Sequence, residues 1–190
     1  MANIFIFAGC NGSGKSTLAN YVLSSIDSSP EFVNADVIAA RLNPDNVDTV
    51  AITASRIMLQ RINTLAKQKV DFAFETTLAA KTFARFIKQC QAKGYTINLI
   101  YIWLNSADLA VRRVAARVAS GGHNIPHDTI VRRYYRSINN FLHIYSPIAD
   151  RWIVYDNSNE RQKIAEKPLN RSFIIYQPLI WQQFISSVNQ

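Results

Sequence analysis

The apolar positions follow two alternating rhythms along the chain. Residues 3–8 (NIFIFA) form an almost unbroken β-compatible apolar run, the pattern of a strand buried on both faces. Beyond a Gly/Ser-rich stretch, Leu18, Ala19, Val22 and Leu23 recur at helical spacing. Ser28-Ser29-Pro30 interrupts that helix, and residues 31–34 read as a short second strand. Residues 37–42 predict one or two helical turns, stopped at Asn43-Pro44. From about residue 47 to 68, Ala51, Ala54, Ile57, Met58, Ile62 and Leu65 mark a long helix. Residues 70–75 are a third strand closed by Thr76-Thr77. Phe83, Phe86, Ile87 and Cys90 then stand at i, i+3, i+4 and i+7, with Gly94 as the helix stop.

Residues 95–104 are the longest strand candidate. Ser106 is placed to cap the next helix, with Asp108 in its first turn, and Val111, Val114 and Val118 as its buried stripe. After Gly121-Gly122, Asp128 reads as the N-cap of a long helix burying Val131, Tyr134, Ile138, Phe141 and Tyr145. Residues 151–155 predict a fifth strand, and residues 173–176 a sixth or an appended edge element. Strands alternating with helices call for a mostly parallel α/β sheet, five-stranded at its core, with helices on both faces. No repeat or low-complexity segment interrupts this order, and 190 residues fit one domain.

The stretch between the first strand and first helix carries the clearest chemistry. Residues 9–17 read GCNGSGKST and fit GxxxxGK[ST], the Walker A or P-loop pattern, in the strand–loop–helix context it requires. Gly9, Gly12 and Gly14 let the backbone crowd against phosphate, and the N–H groups around Asn11, Ser13 and Lys15 form a nest for it. The following helix turns its positive end to the anion. Lys15 would bridge the β- and γ-phosphates of ATP. The Ser16 hydroxyl would hold Mg²⁺, with Thr17 beside it.

Two carboxylates stand at the ends of neighbouring strands, where parallel sheets open their ligand crevice. Asp36 follows the second strand and is the candidate base for an acceptor hydroxyl, or else a helix cap or an indirect magnesium contact. Glu75, with Thr76 and Thr77, either holds a hydroxyl-rich substrate, fixes the loop as a satisfied buried carboxylate, or contacts magnesium through water. Asp156 mimics a second such carboxylate, but its late strand argues against metal contact.

Composition narrows the classes. At 48% hydrophobic and 18% charged the chain has an ordinary globular make-up. The net charge of +8 points to anionic partners. Arg112, Arg113, Arg117, Arg132, Arg133 and Arg136 lie close in sequence, so one phosphate site explains much of the excess. No RNP-like, zinc-finger or long basic run supports a nucleic-acid surface. Two arginine-bearing helices hinged at Gly121-Gly122 predict a lid over about residues 113–136, closing over the γ-phosphate. His123 and His127 lack further partners at metal-ligand spacing. Cys10 and Cys90 form no metal or disulfide framework, and no run reaches transmembrane length. The expectation is a cytoplasmic protein.

GCNGSGKST, Asn34-Ala35-Asp36, Glu75-Thr76-Thr77-Leu78 and especially GGHNIPHDTIVRRYYRSINN (residues 121–140) resemble the zeta-toxin-like P-loop kinases, in their short stand-alone branch. The resemblance implies a nucleoside-kinase-like P-loop NTPase fold of three layers, and Mg²⁺-dependent transfer of the ATP γ-phosphate to a sugar hydroxyl. It implies UDP-N-acetylglucosamine as leading acceptor and a small antitoxin protein that occludes the ATP site. By position, Lys15 and Ser16 serve phosphate and metal, Asp36 is the base, and Glu75 and Thr76 contact the acceptor. Arg117 and one of Arg132 or Arg133 clamp the γ-phosphate. The family's usual proline is replaced by Cys10, and its arginine soon after the base is matched only by the displaced Arg41. A kinase for a nucleoside, a dinucleotide cofactor or a polynucleotide end is the alternative, and a regulatory ATPase the third reading. Against the last, the chain has a carboxylate where an acceptor base belongs.

Overall fold

The computed structural model describes residues 2–26 and 30–188. The Ser28-Ser29 part of the expected chain break lies outside the described residues. Strand β1 (Asn3–Ala8) leads through the Gly-rich loop into helix α1 (Lys15–Ser24). Then come β2 (Glu31–Val33), α2 (Ala35–Leu42), a 3₁₀ turn (Val47–Val50), α3 (Ala51–Gln68) and β3 (Phe72–Thr76). The chain continues through α4 (Thr82–Gln91), β4 (Thr96–Trp103), α5 (Ala107–Ala119) and α6 (His127–Asn140). A π-turn (Phe141–Tyr145) and the short α7 (Ser146–Ile148) precede β5 (Arg151–Asp156). β6 (Gln162–Lys167), β7 (Ile174–Ile175) and α8 (Pro178–Ser186) complete it.

The sheet order is β2-β3-β1-β4-β5-β6-β7. The first five strands run parallel. β6 and β7 are added antiparallel on the β5 side. The sheet therefore has seven strands rather than five. The missed strand, β6, reads QKIAEK, in which Ile164 and Ala165 are the only apolar residues. Its hydrogen-bond ladder to β5, with a register shift at Val154/Tyr155, makes it a strand that periodicity does not announce.

Alternate residues of the central strands feed two cores, which is why β1 and β4 look continuously apolar. Phe7, Ala73, Ile100 and Ile102 pack under Leu18, Ala19 and Leu23 of α1. On the other face Ile4, Ile6, Phe72, Phe74, Tyr101 and Trp103 belong to a larger core shared with α3, α4, α5, α6 and α8. Phe184 of α8 is fully buried there against Tyr101, Trp103 and Phe141.

Three expectations on α5 and α6 change. α5 buries Ala107, Ala110 and Val114, whereas Val111 and Val118 are half-buried. α6 begins at His127 behind Pro126, with no side-chain cap, so Asp128 is a first-turn residue and not the N-cap. Its buried stripe starts at Ile130 rather than Val131. In the π-turn that follows, Phe141 and Tyr145 are fully buried in the core. The Ser106 cap is as expected, its hydroxyl accepting from Leu109 N at 3.2 Å. Among the described residues no helix is long and apolar enough to cross a membrane.

Candidate active site

β1 lies between β3 and β4, so the loop after it opens at the switch point of a parallel sheet. Gly9 has φ 143°, and a Cβ there would lie 2.2 Å from the Ile102 carbonyl oxygen. Only glycine permits this close pass of the loop over β4. Gly14 takes a left-handed conformation as the N-cap of α1. No side chain caps this helix and no acid stands in its first turn. Its first backbone N–H groups therefore remain free for an anion. Asn157, just past β5, donates to the Ser13 carbonyl at 2.9 Å and pins the loop from the far side.

Lys15 is buried, and its Nζ donates to the Cys10 carbonyl at 2.8 Å. The parallel register pairs Phe7 with Glu75, which brings that carboxylate to the loop. Glu75 Oε1 lies 3.8 Å from Lys15 Nζ. Its Oε2 accepts from Ser16 Oγ at 2.6 Å and from Asn34 Nδ2 at 3.0 Å. Asn34 is the pivot between the two carboxylates. Its Oδ1 caps α2, accepting from Asp36 N at 2.8 Å, while its amide holds Glu75. Asp36 is thus not the cap; its exposed side chain lines the cavity. An Asn at a strand end immediately before a helix is a cap signal, and it could have identified Asn34.

The cavity, about 610 Å³, is walled by this cluster on one side and by Arg113, Arg117 and Arg133 on another. Arg133 Nη1 reaches Asn11 Oδ1 of the loop at 3.3 Å. Burial and then Arg132 draw the Arg133 pKa down, while Asp36 acts in the opposite sense. Arg132 and Arg136 are exposed and do not line the cavity. One residue along a helix is a 100° turn, so the side chains of Arg132 and Arg133 leave α6 in different directions.

Arg117 Nη2 donates to the His123 carbonyl at 2.9 Å, and Gly122 N returns a bond to the Arg117 carbonyl. His123 Nε2 is 3.1 Å from Asp48 Oδ1, tying the loop between α5 and α6 to the 3₁₀ turn before α3. His127 pairs with its neighbour Asp128. Among the described residues no three His, Cys, Asp or Glu side chains cluster as a metal site. Asp156 is buried and accepts from Ser158 N and Oγ, so it braces its own turn away from the cavity. Thr76 also lines the cavity and bonds Leu78 N, while Ser55, Met58, Thr82 and Phe83 join it unforeseen. Burial raises the Cys10 thiol to about 11, against the opposing pull of Lys15 and Arg113.

The zeta toxin family profile matches residues 2–167. An uncharacterized protein of Haemophilus influenzae is 35% identical over 135 residues, covering 70% of this chain and 94% of its own length. Among solved structures, the AvrRxo1-ORF1:AvrRxo1-ORF2 complex superposes with a TM-score of 0.82 at 12% identity in its sulphate form. Its ATP-containing form gives 0.82 at 13%. Each covers 98% of this chain, which spans 64% of the matched chain's length. The PezAT chromosomal toxin–antitoxin system of Streptococcus pneumoniae matches with a TM-score of 0.61 at 14% identity, over 99% of this chain and 86% of that one. At such identities the structural likeness speaks for the fold. The profile match takes in the P-loop, Asp36, Glu75 and the three cavity arginines, and by it the chain belongs to the zeta toxin family.

Proposed function

We propose that this protein transfers the γ-phosphate of ATP to a hydroxyl of a small molecule, with Asp36 as the general base. The observation that carries this reading is the shared cavity: the P-loop, three arginines and an exposed carboxylate all border one space. A phosphate-binding loop alone serves hydrolysis as well as transfer. A carboxylate across the cavity adds what transfer to an alcohol needs, an acceptor for the hydroxyl proton.

The free N–H groups of the loop and α1 would hold the β-phosphate, with Lys15 turning from the Cys10 carbonyl to the β- and γ-phosphates. The acceptor oxygen attacks the γ-phosphorus as the bond to the ADP oxygen breaks. Its proton passes to the Asp36 carboxylate, and ADP leaves. Arg113, Arg117 and Arg133 would neutralise charge on the equatorial oxygens, with Arg133 taking the role expected of either Arg132 or Arg133.

The paired Ser16 hydroxyl and Glu75 carboxylate fit Mg²⁺, which takes oxygen donors and keeps several waters. Bound with ATP, the ion would supply charge neutralisation between the β- and γ-phosphates. Glu75 would then serve the donor side, rather than the acceptor contact expected with Thr76. UDP-N-acetylglucosamine is the acceptor that family resemblance puts first, and a small antitoxin is the corresponding partner. Support for the partner comes from the PezAT toxin–antitoxin match.

The test is incubation with Mg-ATP and pooled sugars, nucleosides, sugar nucleotides and cofactors, followed by a mass-spectrometric search for products gaining one phosphate. A product that disappears with Lys15→Ala is expected. ATP hydrolysis without any phosphorylated product would favour the regulatory ATPase, and undiminished turnover in Lys15→Ala would refute the P-loop role.

A further inference from the structure

Helix α4 carries a basic face that the candidate active site does not use. Residues 76–107 contain Lys81, Arg85, Lys88 and Lys93 and no Asp or Glu. Lys81, just before α4, and Arg85 and Lys88 within it stand at i, i+4 and i+7, so they share one side of the helix. All three are exposed, and among the described residues none of them forms an ion pair. Like charges at this spacing repel, and the helix holds no acid to relieve them. Only Thr82 and Phe83 of α4 line the cavity described above, so these cations do not serve the phosphate site.

The basic face continues into a second concavity of about 610 Å³. Lys88 lines it together with Lys167 of β6 and Arg171 of the β6–β7 turn, and Ile148 and Leu169 stand among them. The carboxylate there, Asp150, is engaged from within the fold: its Oδ2 accepts from Ile97 N at 2.8 Å and from Gln91 Nε2 at 3.1 Å. Lys167 Nζ donates to the Ala149 carbonyl at 3.2 Å, which holds that cation in place. Ile97 and Asp150 mark the starts of the parallel strands β4 and β5, whereas the P-loop leaves the end of β1. This concavity therefore lies at the end of the sheet away from the P-loop.

We infer that this face docks an acidic, amphipathic segment of a protein partner. Its cations are spread along two turns of helix and across the adjoining concavity instead of converging on one point. A chain of carboxylates matches that spread better than a single phosphate does, and charge complementarity would steer and orient it. Ala84, Ala92, Ile148 and Leu169 lie among the cations and offer contact to the apolar side of such a segment. Among the described residues no aromatic side chain lines either part, so the bases of a nucleic acid have nothing to stack on. The inference rests on this surface alone and stands apart from the phosphotransferase reading.

The experiment measures the fluorescence anisotropy of short labelled probes with the full chain: a peptide of glutamate and leucine in helical pattern, its glutamine-for-glutamate counterpart, and an oligouridylate. The acidic peptide is expected to bind about tenfold more tightly than the other two, more weakly as salt rises, and equally well with Mg²⁺ and a non-hydrolysable ATP analogue present. Arg85→Glu combined with Lys88→Glu should weaken it about tenfold, and Arg171→Glu, in the β6–β7 turn, about threefold. Arg56→Glu combined with Lys67→Glu, at exposed positions of α3, makes the same change in net charge as the α4 pair and should leave Kd within about twofold. Equal affinity for the acidic and glutamine peptides overturns the inference, as does a loss that the α3 pair matches. Undiminished binding in both the α4 pair and Arg171→Glu overturns it as well. Displacement by the ATP analogue would place the peptide in the P-loop cavity, and tighter binding of the oligouridylate would give the face to a nucleic acid; either result overturns it.

Discussion

Glu75 is the residue whose position says most about the division of labour. Its two oxygens are engaged by Ser16, Asn34 and Lys15, all on or beside the phosphate loop. From sequence, its place at a strand end was equally compatible with acceptor binding, because a strand end faces both halves of the crevice. The parallel register of β1 and β3 was the missing information. We expect Glu75→Gln to raise the Mg²⁺ concentration for half-maximal turnover by about 10–100-fold, read from a metal titration at fixed ATP. Unchanged metal dependence would return Glu75 to the acceptor side. Cys10 offers a separate check at this scale. A thiol with a pKa of about 11 is protonated at pH 8, where roughly one molecule in a thousand is thiolate. Burial suppresses reagent access as well. Native protein at pH 8 should therefore resist disulfide-exchange labelling at Cys10, and labelling should appear on denaturation. Fast labelling of Cys10 in the native state would contradict the buried loop.

The elements differ in how openly the sequence declares them. β1, with its continuous apolar run, and α5, with its Ser106 cap, carry their own signals, and both stand where expected. β6 and the register of α6 do not. A strand with two apolar residues is held by its ladder to β5, and α6 buries Ile130 rather than Val131. Asp128 has a cap-favouring side chain, but Pro126 immediately precedes the first helical residue, which puts Asp128 inside the first turn. α8 is not among the elements expected from the sequence; Pro178 stands at its start, and its docking depends on a distant aromatic cluster. Phe184 is buried among Tyr101, Trp103, Phe141 and Trp181. Phe184→Ala should cost about 3–5 kcal/mol, measured by urea unfolding, since it leaves a cavity in this core. A loss below 1 kcal/mol would mean that α8 contributes little to holding the sheet.

For the whole molecule, strand order assembles the site. Placing β1 between β3 and β4 brings Lys15, Ser16 and Glu75 together, though Ser16 and Glu75 are 59 residues apart in sequence. Arg133 reaches Asn11 across 122 residues, and His123 ties the α5–α6 loop to Asp48 ahead of α3. The P-loop and the acidic strand ends were legible because local pattern defines them. The choice of Arg133 over Arg132, and the pivot role of Asn34, needed the packed helices. The central claim is that the cavity couples the P-loop to Asp36 for transfer rather than hydrolysis. Its most direct measurement is the fate of γ-labelled phosphate in wild type and Asp36→Asn, at matched ATP occupancy, with the pooled acceptors. The account predicts that acceptor labelling falls about 10²–10⁴-fold in Asp36→Asn while ATP affinity is retained. Acceptor labelling that persists undiminished in Asp36→Asn would contradict it.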